Sequence, residues 1–169
     1  MKTPRWAAAP LVAVLLLSAC STLTQTSQAC DLSDGELFDL QNEWNWVSGE
    51  LLTSYMKASA APADREPGAV AQYVIDSDRL IPKLTRIVQD LRNLRGCLPA
   101  NQRDVFEPVL GTYNDKLLGY VALGNAVRLN STEGEEAAKV MLTSAAREAN
   151  SLACEIARIT GDPLPVDIC

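Results

Sequence analysis

Apolar residues recur at three- and four-residue steps along four stretches of the chain, and each stretch predicts one face of an amphipathic helix. Leu37, Leu40, Trp44, Val47, Leu51 and Tyr55 make the first, which opens at a capping box, Ser33-Asp34-Gly35-Glu36, and runs to about Ala60. The polar segment from Ala61 to Gly68, with Pro62 and Pro67, breaks it. Val70, Tyr73, Val74, Ser77, Ile81, Leu84, Val88, Leu91 and Arg95 make the second. Pro82 falls inside that pattern, and the apolar phase is the same on both sides of it, so one kinked helix is expected. Gly96 is placed to end it in a left-handed conformation.

The third helix starts near Pro99 or Asn101 and carries Phe106, Val109, Tyr113, Leu117, Tyr120, Gly124 and Val127 on one face. Gly111, Gly119 and Gly124 each weaken it by about 1 kcal/mol relative to Ala, so it depends on tertiary packing. Of the three, only Gly124 falls on the apolar stripe, where a missing side chain lets a neighbour come close. A second capping box, Thr132-Glu133-Gly134-Glu135, opens the fourth helix, whose stripe is Ala138, Met141, Ala145, Ala149, Leu152, Ile156 and Ile159. Gly161 and Pro163 end it, and the tail from Leu164 to Cys169 has no helical pattern.

No segment alternates with a period of two over a strand's length. The expected fold is all-α: an antiparallel, up-down-up-down four-helix bundle with short connections, stapled by disulfides. The Ala-lined fourth helix should pack closely on the first, which is lined by Trp and Leu.

Ahead of the first helix stand Lys2 and Arg5, an apolar run from Trp6 to Leu17, and then Leu17-Ser18-Ala19-Cys20. The apolar run is about 12 residues, short of the roughly 20 a membrane span requires, and its layout is that of a secretory signal. Leu at −3, small residues at −2 and −1 and the following Cys resemble the lipobox of bacterial lipoproteins. That resemblance implies cleavage before Cys20 and a diacylglycerol thioether on it. Residues 1–19 are then the signal peptide, 20–29 the lipidated Cys and a flexible tether, and 30–169 the helical domain. Two or three acyl chains anchor a protein stably where one holds it only marginally. Ser21, rather than Asp, after the lipidated Cys resembles the signal for outer-membrane sorting.

Removal of residues 1–19 takes Lys2 and Arg5 with it and leaves 13 basic residues against 21 acidic ones. An acidic exported domain is poorly suited to nucleic acid or to anionic head groups, so its hold on a membrane must come from the lipid. With Cys20 assigned to lipid, Cys30, Cys97, Cys154 and Cys169 remain, an even number in an oxidising compartment. In an antiparallel bundle Cys30, Cys97 and the Cys169 tail share the membrane-near pole. Cys154 falls roughly 160° from the centre of the buried stripe and should face outward, under a covering segment. Four cysteines allow three pairings; Cys30–Cys97 with Cys154–Cys169 is the one this placement favours.

The chain has no histidine. That removes the commonest metal ligand and general base, and with it Ser-His-Asp and Cys-His nucleophilic systems. Its cysteines lack the close paired spacing of zinc sites or of a redox Cys-x-x-Cys, and its glycines make no phosphate loop. Glu43 with Glu50, and Glu148 with Glu155, stand seven apart at the rims of their stripes. They read either as an acid/base or ion-holding pair across helices or as ordinary flanking charges. No catalytic residue, metal ligand or cofactor is assigned.

The aromatic residues point elsewhere. Trp46 falls opposite the stripe containing Trp44, with Phe38 and Met56 to one side, which is the composition of a partner-binding surface. Asn42, Asn45 and Trp46 together also suit a glycan. The expected function is therefore a non-enzymatic, membrane-anchored envelope lipoprotein that binds or scaffolds a protein partner on the extracytoplasmic side. A carrier of a small apolar or glycan ligand, using the Pro82 kink, Gly124 and the Ala-lined helix, is the alternative. An envelope enzyme ranks third.

Overall fold

Each of the four apolar stripes lies on one helix: α1 (Asp34–Ala58), α2 (Ala69–Cys97), α3 (Ala100–Arg128) and α4 (Thr132–Thr160). The computed structural model describes residues 34–60, 66–98 and 100–160, and among these there is no strand. The signal segment, Cys20, the tether, Cys30, Ser33, Pro99 and the tail with Cys169 lie outside the described residues.

Cross-helix contacts set the direction of each neighbour. Glu43 meets Arg86, Glu50 meets Arg79 and Ser54 meets Asp76, so α1 and α2 run antiparallel. Arg95 meets Glu107, Arg92 meets Asn114 and Arg128 meets Asp78, which reverses α3 against α2. Val109 packs with Ala153 and Ile156, and Gly119 lies against Leu142, which reverses α4 against α3. One apolar core draws on all four helices, through Trp44, Leu51, Tyr73, Leu84, Phe106, Leu123, Ala138 and Leu142 among others.

The expected pairing of α4 with α1 is not the one formed. The main neighbour of α4 is α3, and α1 packs chiefly on α2. One close approach between α3 and α4 is at Gly119, which the stripe assignment left out. A Cβ built there would stand 2.7 Å from Leu142 Cδ2, so any larger residue would have to displace the Leu142 side chain. Gly124 does serve a close contact, as expected, with α2: a Cβ there would meet Ile81 Cδ1 at 3.3 Å and Ser77 Cβ at 3.4 Å. On α4 Ala138, Ala145, Ala149 and Ile156 are buried as expected, while Leu142 is buried in place of Met141 and Ala153 in place of Leu152. Val70, assigned to the second stripe, is exposed, and Ala69 is buried in its place.

Pro82 sits within a continuous α2, as the constant apolar phase required. It is exposed, so the carbonyl of Asp78 that loses its donor is on the side where water can serve it. Gly96 does not end α2 in a left-handed turn; the helix continues to Cys97, and Leu98 is the extended C-cap. The last carbonyls are met by an arginine of the next helix instead. Arg103 donates from Nε to the Leu98 carbonyl at 2.6 Å and from a terminal nitrogen to that of Gly96 at 3.3 Å.

The turn between α3 and α4 is built on Asn130, whose φ of 52° is left-handed. The Asn130 amide donates to the Val127 carbonyl and the Ser131 amide to that of Ala126, the paired bonds of a Schellman motif. Ser131 then caps α4, its Oγ accepting from the Gly134 amide at 3.1 Å. The cap therefore stands one residue ahead of the expected Thr132, and Glu135 is released from a capping role.

Cys97 and Cys154 do not stand free. Cys154, expected on the outer side of α4 under a covering segment, is buried.

Candidate functional site

Trp46 and Trp44 are two residues apart on α1, about 200° around the helix, and that rotation separates their environments. Trp44 is 3% exposed, with its ring edge-on to Tyr113 at 4.9 Å and tilted to Tyr120 at 6.5 Å. Each such aromatic pair adds about 0.5–1.5 kcal/mol beyond burial. Trp46 is 59% exposed. Its ring leans over the α1–α2 seam, where Lys83 Nζ sits 5.5 Å from the ring centroid. An exposed cation–π contact of this kind is worth about 0.5–1 kcal/mol. It orients the indole without covering it.

Phe38 and Met56 are also exposed, at 47% and 48%. They do not converge with Trp46 into one patch. They are 18 positions apart, about 27 Å along the axis, and both lie about 80° around α1 from Trp46. Met56 instead lines a shallow groove of about 320 Å³ with Thr53, Lys57 and Glu66. Among the described residues Trp46 is the more exposed of the two exposed aromatic side chains, the other being Phe38.

The α1–α2 seam is a charge ladder. Arg86 donates to Glu43 at 2.5 Å, and Arg79 joins Glu50 to Asp76, with 3.0 Å to the latter. Glu43 and Glu50 are therefore flanking charges held by arginines of α2, and do not face a carboxylate of α4. Glu148 and Glu155 are exposed. Among the described residues no group of three or more acidic or cysteine side chains is arranged to hold a metal ion. Nearer the start of α1 the seam opens into a groove of about 390 Å³, floored by Leu40 and Leu94 and rimmed by Glu36, Asp39, Glu43 and Asp90.

Asp76 is buried on the apolar face of α2. Burial raises its carboxyl pKa, but hydrogen bonds from Ser54, Arg79 and Gln72 outweigh it and hold the pKa below the usual carboxylate range. Ser54 Oγ donates to it at 2.7 Å. Glu135 takes the second buried-side polar link, accepting from the Tyr55 hydroxyl at 2.9 Å and so joining α4 to α1. Burial first, and then that hydrogen bond, raise the Tyr55 pKa. The Tyr73 hydroxyl is enclosed near Ser77, and burial, outweighing the lowering effect of Ser77, pushes its pKa up to about 12. Burial also lowers the pKa of Lys116 on α3.

Asp76, Glu135 and Lys116 were not singled out from the sequence. Asp76 carries a readable signal, because it falls three residues after Tyr73 and four before Leu80, at a core position. Glu135 was masked by its fit to a capping box. No signal marked Lys116.

The described residues define an all-α helical bundle with one exposed tryptophan on a charged seam. No helix among them is long and apolar enough to cross a membrane. The chain matches no protein-family model, and no curated protein or solved structure matches it.

Proposed function

We propose that this chain is an exported bacterial lipoprotein, anchored by lipid on Cys20 to the extracytoplasmic side of a membrane, whose helical domain binds an envelope protein without chemistry of its own. The sequence Leu17-Ser18-Ala19-Cys20 behind a charged and apolar leader carries this reading. The exposed indole of Trp46, held at an edge of the domain by Lys83, supports the choice of a binding surface. The small-ligand alternative divides: a glycan would use the same exposed Trp46 with Asn42 and Asn45, whereas an apolar guest has less to use. Beside Gly124, where a gap for an apolar guest was expected, Ser77 and Ile81 are already in contact distance.

The domain is proposed to be an up-down-up-down four-helix bundle stapled at the pole nearest the membrane by Cys30–Cys97 and Cys154–Cys169. The antiparallel order of the contacts supports the topology. What supports the staples is the sequence: once Cys20 is assigned to lipid, an even number of cysteines remains in a chain read as exported to an oxidising compartment. Each closed loop would add roughly 2–4 kcal/mol.

Intact mass of the protein extracted from membranes tests the anchor: the chain should begin at Cys20 and carry acyl mass, and Cys20→Ala should move it to the soluble fraction. A Cys20→Ala protein that stays fully membrane-bound overturns the anchor. Non-reducing peptide mapping tests the staples. A Cys30–Cys154 peptide would replace the pairing, and four alkylatable thiols would remove the staples altogether.

A further inference from the structure

We draw no further inference here: the strongest candidate, the groove between the first turns of α1 and the last turns of α2 rimmed by Glu36, Asp39, Glu43 and Asp90, is an acidic cluster that no second observation ties to a ligand.

Discussion

Leu142 of α4 fills the space beside the backbone of Gly119 of α3: a Cβ on the glycine would lie 2.7 Å from Leu142 Cδ2 and 2.8 Å from its Cγ. Close packing leaves little room for such a contact to relax. Gly119→Ala should therefore destabilise the domain by about 1–3 kcal/mol through overpacking, although Ala is the better helix former by about 1 kcal/mol. Gly111 is the control on the same helix, exposed and with nothing within 4 Å of a built Cβ. Gly111→Ala should raise stability by up to about 1 kcal/mol. Urea midpoints at constant m-value report both. A Gly119→Ala protein as stable as the Gly111→Ala protein would show that the helices separate freely.

Asp76 makes stability depend on acid. Its pKa is depressed in the folded chain, so the stabilisation it contributes is fully present above the unfolded value of about 3.9 and is lost as pH falls through the folded value. Wild-type unfolding free energy should accordingly fall in the acid range below about pH 4. Asp76→Asn should cost about 1–3 kcal/mol at neutral pH, since it strips Ser54 and Arg79 of a charged partner. It should also flatten the acid slope. An unchanged slope in Asp76→Asn would assign the acid sensitivity to other carboxylates.

The four tyrosines set the alkaline limit. Tyr73 and Tyr113 are pushed up to about 12, and Tyr55 and Tyr120 are raised as well, with burial the leading cause for each. A folded pKa above the unfolded value of about 10 contributes stability that is present below about pH 10 and lost as pH rises through the folded value. Phenolate absorbance of the folded domain should lag behind that of free tyrosine above about pH 10, with two of the four rings held back furthest, and should rise fully with the loss of helix by circular dichroism. Ionisation of all four rings at about pH 10 in a fully helical protein would contradict the burial of Tyr73 and Tyr113.

Much of the helical framework was legible because periodicity reports which face is buried, and it did so for Leu51, Tyr73, Leu84, Phe106 and Ala145. Periodicity failed where a glycine or a polar side chain carried the packing. Gly119 has no side chain to register on a hydrophobic pattern, yet it is where Leu142 of α4 comes closest to the backbone of α3. Asp76 and Glu135 are polar, and their roles depend on Ser54 and Tyr55, residues more than twenty positions away in sequence. Helix ends were misplaced for a related reason. Gly96 had the composition of a C-terminal stop, but an arginine seven residues on, Arg103, satisfies the end of α2, and Asn130 supplies the left-handed turn after α3. The separation of Trp46 from Trp44 was readable, because two residues on a helix face nearly opposite ways. That Phe38 and Met56 stand apart from Trp46 follows from the same arithmetic, applied to distance along the axis as well as to angle.

That separation of the two tryptophans allows packing and binding to be tested apart on a single helix. Trp44→Ala removes a buried indole that lies against Tyr113 and Tyr120 and should cost about 3–5 kcal/mol. Trp46→Ala removes an exposed ring and its contact with Lys83, and should cost no more than about 0.5–1 kcal/mol. If Trp46 is the centre of a partner surface, the Trp46→Ala protein should keep its fold and membrane attachment. It should lose site-specific photo-crosslinks that the wild-type chain forms from a probe at neighbouring Asn42, on the same exposed side of α1. Lys83→Ala should weaken those crosslinks less, since it releases the ring without deleting it. Should Trp46→Ala instead destabilise the domain as much as Trp44→Ala, the ring is part of the core. Crosslinks undiminished in a folded Trp46→Ala protein would place the partner surface elsewhere.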